Sequence, residues 1–468
     1  MLGTDWYFDD ALVIARALQA REVSSLELTE AMLDRINKLD GELGAYITVT
    51  AELARAQARA ADADLACGVV RSPLHGVPIA VKDIYDTAGI TTTAGMGIHR
   101  ARVPSSDATV IERLREAGTV LLGKLTLTEG VYAEHRAPFP APQNPWHRER
   151  WSGASSSGSG VAVAAGLCFA ALGSETGGSI RLPSAASGIS GLKPTWGRVS
   201  RHGAFELAAT LDHVGPMARS AADAGAMLGI IAGPDPRDPT AVQLNVPNYL
   251  AADSSSLRGV RVGIDPVWLS TNVDADTLTA LERALVVLVE LGAELVEVRV
   301  PDVSEMIWDW FPICAVQTAL VHAHTYPARR DEYGPALTSL LDMGLALSGI
   351  DYQKLLLRRL DFSGRVQALL ATVDVLALPV LGFPVPSLTR MQNVDDDIIA
   401  GFHRFTCPFN LSGNPAVVLR NGFGAEQVPI VFQLIGRHFD EALLVRAGAA
   451  YQAATDWHRV QPGSAPRA

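Results

Sequence analysis

The strongest constraint on this chain is an alternation between helical spacing and short runs that are apolar at every position. The segment "SSLELTEAMLDRINKL" opens with a capping box, Ser24 to Glu27, and repeats apolar residues at Leu28, Met32, Ile36 and Leu39, which is helical spacing. An alanine-rich helix follows over 51–66, then "HGVPIAVKD" as a β-rich run ending in charge, and "DATVIERLREAGTVLLGK" as helix, glycine stop and strand. Residues 158–167 read as another helix and 168–172 as another buried strand. A strand without a polar side has to be covered twice, so the pattern predicts an α/β sheet with helices on both faces.

At 468 residues and 48% hydrophobic content, the chain can build a large core. Length alone suggests about three domains. The clearest connecting segment, however, is 233–256, "GPDPRDPTAVQLNVPNYLAADSSS", and it leads into another helix-to-strand unit, "ADTLTALERALVVLVELGAELVEVRV", that turns at Gly292. One domain over 1–460 is expected, with the tail "QPGSAPRA", 461–468, disordered.

A net charge of −11 argues against nucleic-acid and anionic-membrane partners, both of which attract basic surfaces, and favours an uncharged substrate. The opening "MLGTDWYFDDALVIARALQA" is acidic where a secretory leader is basic, and no apolar run reaches the roughly 20 residues that span a bilayer. The reading is a cytoplasmic protein. Cys67, Cys168, Cys314 and Cys407 are scattered, without CxxC spacing or a histidine cluster beside them, which points to reduced, buried thiols and not to a disulfide or metal site.

Two familiar motifs nearly occur. "GTVLLGK", Gly118 to Lys124, has P-loop spacing, but Leu125 stands where Mg²⁺ needs a hydroxyl and "TVLL" reads as strand. "SGLK", Ser190 to Lys193, has SxxK spacing but runs directly into Pro194 and lacks SDN and KTG partners. Three other signals remain: Lys82 at the end of "VPIAV", the serine-rich "SGASSSGSG" at 152–160, and "GSETGGSIRLPSAASG" at 173–188, where a serine follows two glycines.

In this order and spacing the three resemble the amidase signature family. The likeness runs from about residue 24 to 458 through "GVPIAVKD", "DATVIERLREAGTVLLGK", "NPW", "GASSSGSGVAVAAG", "GSETGGSIRLPSAASGISGLKPTWGRVS", "LDHVGP", "DVLALPVLGFPVP", "NLSGNPAVVL" and "FQLIGRHFDEALLVRAGAAY". It implies a three-layer α/β/α fold around a large mixed, mainly parallel sheet. By position it implies a catalytic set of Lys82, Ser155 after a cis peptide, and Ser179 as nucleophile, the two serines standing 24 residues apart. The backbone N–H groups of Thr176, Gly177, Gly178 and Ser179 would form the oxyanion hole.

The chemistry suits these residue types. A serine hydroxyl attacks a carbonyl only if its proton is taken, and a lysine can take it when burial removes its own charge. Bare glycine amides can approach the developing oxyanion. Arg181 reads as a buried partner of Glu175, and His202 and His213, nearest in sequence, as turn and packing positions. The chain departs from the family pattern at Ala154, Ser157, Glu175, Thr126, Gly130 and "LRNG", 419–422, which removes no catalytic group but leaves the specificity open.

The resemblance implies hydrolysis of an aryl or alkyl amide, or a carbamate, through an acyl-serine, with no cofactor and no metal; it admits a homodimer. "MIWDWF", 306–311, is either pocket lining or ordinary core. The alternative is an amidotransferase component that releases ammonia from glutamine beside partner subunits.

Overall fold

The computed structural model of the chain describes residues 6–251 and 255–463. The capping box forms as read: the Ser24 side chain accepts from the Glu27 N–H, the Glu27 carboxylate accepts from the Ser24 N–H, and the helix Ser25–Leu43 ends at Gly44 with φ 64°. The alanine-rich helix spans Ala51–Ala66. The serine-rich segment leads into the helix Ser157–Ala164.

Among the described residues eleven strands form one sheet: β1 (Tyr46–Val49), β2 (Pro78–Lys82), β3 (Val120–Leu125), β4 (Ala170–Glu175), β5 (Ser190–Lys193), β6 (His213–Ala218), β7 (Arg261–Ile264), β8 (Glu294–Glu297), β9 (Val375–Pro379), β10 (Ala416–Phe423) and β11 (Pro429–Gly436). Their order across the sheet is β1-β3-β2-β4-β6-β5-β10-β11-β9-β7-β8. The α/β class and the mixed sheet stand as expected; a mainly parallel sheet does not. Four pairings, β2 with β3 and β4, and β7 with β8 and β9, are parallel, whereas the six others are antiparallel. Full apolarity reports burial on both faces and carries no information on strand direction. The antiparallel pair β5–β6 is buried at every residue, like the parallel β2.

Both faces of the centre are covered. On β10, Val418 joins the cluster of Leu182 and Ala185 from the helix Arg181–Ser187. Its neighbour Leu419 points the other way, toward the helix Glu441–Ala454, where a Cβ on Gly448 would lie 3.2 Å from it. "TVLL" is strand β3, as read. Cys168, Cys314 and Cys407 are buried, but Cys67, beyond the end of its helix, is exposed, which corrects the expectation for that thiol. The described part of 233–256 holds no helix or strand, and of the expected tail, 464–468 lies outside the described residues.

Parallel pairing between β2 and β4, with Val81 opposite Leu172, brings the last residues of both strands to one edge of the sheet. Lys82 ends β2, and Ser174 and Glu175 end β4. Deep in the core, Phe432 on β11 meets the Tyr451 ring edge-on at 5.0 Å and is wholly buried. We expect Phe432→Ala to lower stability by about 3–5 kcal/mol in urea unfolding; a loss under about 1 kcal/mol would contradict the packing described.

Candidate active site

Lys82 is completely buried. Its Nζ lies 2.7 Å from Ser155 Oγ, 3.0 Å from Ser156 Oγ and 3.0 Å from Ser174 Oγ. No carboxylate lies within ion-pair distance of it among the described residues. Lys124, on the adjacent strand, is equally buried but stands 3.1 Å from Asp83 Oδ1. Burial pushes the pKa of Lys82 well below the ordinary lysine value, and the more distant charges of Asp212 and Glu175 only partly oppose it.

The serine cluster has a defined hydrogen-bond direction. Ser156 Oγ donates to the Ser174 carbonyl at 3.0 Å and accepts from the Ser174 N–H at 3.2 Å, so toward Lys82 it can only accept. The peptide bond between Ala154 and Ser155 is cis, as the resemblance implied. The Ser156 N–H donates to the Ser179 carbonyl at 3.3 Å and ties the two serine segments together.

The loop 176–179 is held by its carbonyls. Trp310 Nε1 donates to Thr176 O at 2.9 Å, Thr406 Oγ1 to Gly177 O at 2.7 Å, and the Leu182 N–H to Gly178 O at 2.6 Å. With the carbonyls so engaged, the N–H groups of Gly177, Gly178 and Ser179 donate to no group among the described residues. Both glycines are required sterically: a Cβ on Gly177 would sit 2.7 Å from the Trp310 ring, and one on Gly178 would sit 2.9 Å from Leu182. From Ser155 to Arg201 every residue is buried except Ser179 and Trp196. Ser179 is thus the one small hydroxyl in this stretch that reaches outward.

Glu175 closes the loop. Its Oε2 accepts the N–H groups of Ile180 and Arg181, both at 3.0 Å, and its Oε1 accepts Arg181 Nε at 2.8 Å. Burial alone would raise the pKa of Glu175, but the Arg181 charge and hydrogen bonds hold it below the usual value. Arg181 continues to Gln433 Oε1 at 3.0 Å, Asn410 Oδ1 at 2.7 Å and Thr406 O at 2.7 Å. Its reading as a buried structural partner of Glu175 therefore stands.

Four nearby groups were not singled out from the sequence. Ser156 and Ser174 complete the Lys82 cluster. Asp212, inside "LDHVGP", accepts from Thr176 Oγ1 at 2.6 Å and has its pKa pushed up to about 6 by burial. His135 Nε2 is 2.8 Å from Ser157 Oγ, and burial pushes its pKa down to about 4, so the imidazole is neutral. The sequence offered a signal for Asp212 in the family segment but none for His135, a lone histidine in a loop. His213, by contrast, is buried in β6 with Nδ1 on the Leu211 carbonyl, consistent with packing.

With this geometry in hand, comparison with known proteins gives the class. The amidase family profile matches residues 27–445. AmiD of Mycobacterium tuberculosis (strain ATCC 25618 / H37Rv), provisionally named an amidase, is 47% identical over 452 residues, covering 96% of this chain and 94% of that protein. A glutamyl-tRNA(Gln) amidotransferase subunit of Chloroflexus aggregans is 39% identical over 479 residues, covering 95% of this chain and 96% of that protein. Among solved structures, native peptide amidase from Stenotrophomonas maltophilia superposes with a TM-score of 0.85 at 28% identity, covering 98% of this chain and 99% of that one. The chain belongs to the amidase family and is an amide-hydrolysing enzyme.

Removing the carboxylate that closes the loop should be costly, because it leaves the Arg181 charge buried and uncompensated. Glu175→Ala is expected to destabilise by about 3–5 kcal/mol in denaturant unfolding. A variant as stable as the wild type would contradict the role given to this pair.

Proposed function

We propose that the chain hydrolyses the C–N bond of an aryl or alkyl amide, or of a carbamate, with Ser179 as nucleophile, Ser155 as proton relay and Lys82 as base. The observation that carries this reading is Lys82: a buried amine set among three hydroxyls with no carboxylate to hold its proton. A neutral amine has two hydrogens and one lone pair. With one N–H on Ser156 and one on Ser174, the lone pair falls to Ser155, the nearest hydroxyl at 2.7 Å.

Ser179 Oγ bonds to the carbonyl carbon while its proton passes to Ser155 and that of Ser155 to Lys82. The carbonyl electron pair moves to oxygen, where the free N–H groups of the 176–179 loop receive it; one such donor typically contributes about 2.7–4 kcal/mol. Collapse expels the amine, which takes a proton back through Ser155, and leaves an acyl-Ser179 ester. Water attacks the ester by the same relay and releases the acid and free Ser179. Likeness to the glutamyl-tRNA(Gln) amidotransferase component supports a second reading, release of ammonia from glutamine with partner subunits. Incubating the chain alone with anilides, carbamates and glutamine separates the two: turnover of the first two without a partner supports the free hydrolase.

A serine-directed sulfonyl fluoride is expected to attach to Ser179, and peptide mapping that places it on Ser155, Ser156 or Ser157 would overturn the assignment. Ser179→Ala should lower kcat by about 10⁴-fold or more. Because only unprotonated Lys82 can accept, kcat/KM should rise with pH along a limb centred well below the ordinary lysine pKa of about 10.4, and Lys82→Ala should abolish that limb while circular dichroism stays unchanged. Near-wild-type activity with the limb intact would place the base elsewhere.

A further inference from the structure

On the outer face of the helix Ser304–Val321 lies a cavity of about 550 Å³ that the proposed reaction does not use. That helix supplies Ile307 and Trp308 to it, and the short helix Pro266–Ser270 supplies Val267 and Trp268. Arg404, directly after the helix Asp396–His403, completes the wall. Side chains two positions apart leave a helix about 200° around from each other. Trp308 therefore stands opposite Trp310, and the cavity is turned away from the 176–179 loop that Trp310 bonds. Volumes of this order hold a small organic ligand.

Two indoles and one cation give the wall its character. Trp308 is 43% exposed and Val267 59%, while Trp268 is half-buried with its ring on Phe405 at 4.9 Å. Indole faces left in reach of solvent favour a flat apolar guest. The other charged groups of the lining are engaged. Asp265 accepts from Arg299 at 2.8 Å and from the N–H groups of Val267, Trp268 and Val300. Asp302 accepts from the Ser304 N–H at 3.0 Å and its hydroxyl at 2.6 Å, and Arg299 also donates to Glu297 at 3.0 Å. Arg404 differs. Its half-buried guanidinium donates to the Trp268 carbonyl at 2.7 Å and to the Thr271 carbonyl, and no carboxylate lies within ion-pair distance of it among the described residues. A guanidinium has five N–H bonds, so donors remain for a ligand. The cavity thus presents ring faces beside a positive charge without a counter-charge.

We propose that this cavity is a second binding site and that its ligand is a small aromatic carboxylate, the ring against Trp308 and Trp268 and the carboxylate on Arg404. Charge-assisted bonds of guanidinium to carboxylate are the strong ones, and the adjoining indoles select among acids by the ring they carry. The inference is independent of the amidase reading, and its test measures binding without turnover.

The chain has eight tryptophans, so their indole N–H signals can be followed in a ¹⁵N spectrum of tryptophan-labelled protein, with those of Trp268 and Trp308 assigned by their loss in Trp268→Phe and Trp308→Phe. Benzoate is expected to move these two signals together along one saturable curve, with a Kd of about 1 mM or below. Those of Trp146 and Trp457, which pack on Phe423, should stay in place. Benzyl alcohol keeps the ring and lacks the charge, and cyclohexanecarboxylate keeps the charge and lacks the aromatic ring; each should bind about tenfold more weakly. Arg404→Met should bring benzoate down to the level of benzyl alcohol, and Arg404→Lys should restore part of the difference. The wild-type comparison decides the matter even if the Arg404 variants fail to fold. Benzoate that moves neither signal, that moves Trp310 at the loop alone, or that binds no better than benzyl alcohol overturns the proposal.

Discussion

The site depends on one buried carboxylate. Glu175 ends a central strand and, within the next six residues, bonds two backbone N–H groups and a guanidinium, all without access to water. That set of bonds forces residues 176–179 into a short arch. Groups at the back of the arch then engage its carbonyls: Trp310 from one helix, Thr406 before another, and the Leu182 N–H. A peptide unit whose carbonyl is fixed backward presents its N–H forward. The free donors of the proposed oxyanion hole are thus a consequence of how the opposite side of the loop is satisfied. Arg181 extends this to Gln433 and Asn410, so segments more than two hundred residues distant in sequence hold the same arch.

Three buried lysines lie at or next to the ends of strands in one sheet, and their surroundings separate them. Lys124 has Asp83 at 3.1 Å, and Lys193 turns to the Pro194 and Asn414 carbonyls. Lys82 has hydroxyls alone. Burial favours loss of the proton in all three, but a carboxylate neighbour returns part of what desolvation removes. Among the three, Lys82 alone combines burial, no ion-pair partner and contacts with serine hydroxyls only. The proposed base role of Lys82 rests on that combination.

Much of this could be read from the residues. The capping box, the alanine-rich helix and the apolar strands are local signals; the first two formed where the spacing placed them, and the strand expected at 168–172 formed two residues later, at Ala170–Glu175. Strand direction was not legible, because burial on both faces gives β5 and β6 the same composition whether their neighbours run with them or against them. In the site, glycines 177 and 178 and the serine after them were conspicuous, since few roles require two bare residues there. Their cause was hidden: the Trp310 ring and Leu182 side chain that leave no room for a Cβ come from contacts that no local pattern encodes. "MIWDWF" could be read as pocket or as core, and its residues differ in burial. Trp310 is buried at the loop, whereas Trp308 and Phe311 reach outward. His135 gave no signal because its significance lies wholly in meeting Ser157 across a loop.

The central claim is that Lys82 is uncharged in the folded enzyme at neutral pH. The chain has only five lysines, Lys38, Lys82, Lys124, Lys193 and Lys354, so their side-chain nitrogens can be resolved by ¹⁵N NMR after selective labelling, with the Lys82 signal assigned by its loss in Lys82→Met. The account predicts a neutral-amine signal for Lys82 Nζ at pH 7, converting to ammonium only on acidification. An ammonium signal for Lys82 that persists through neutral pH and deprotonates only in the ordinary lysine range would contradict it.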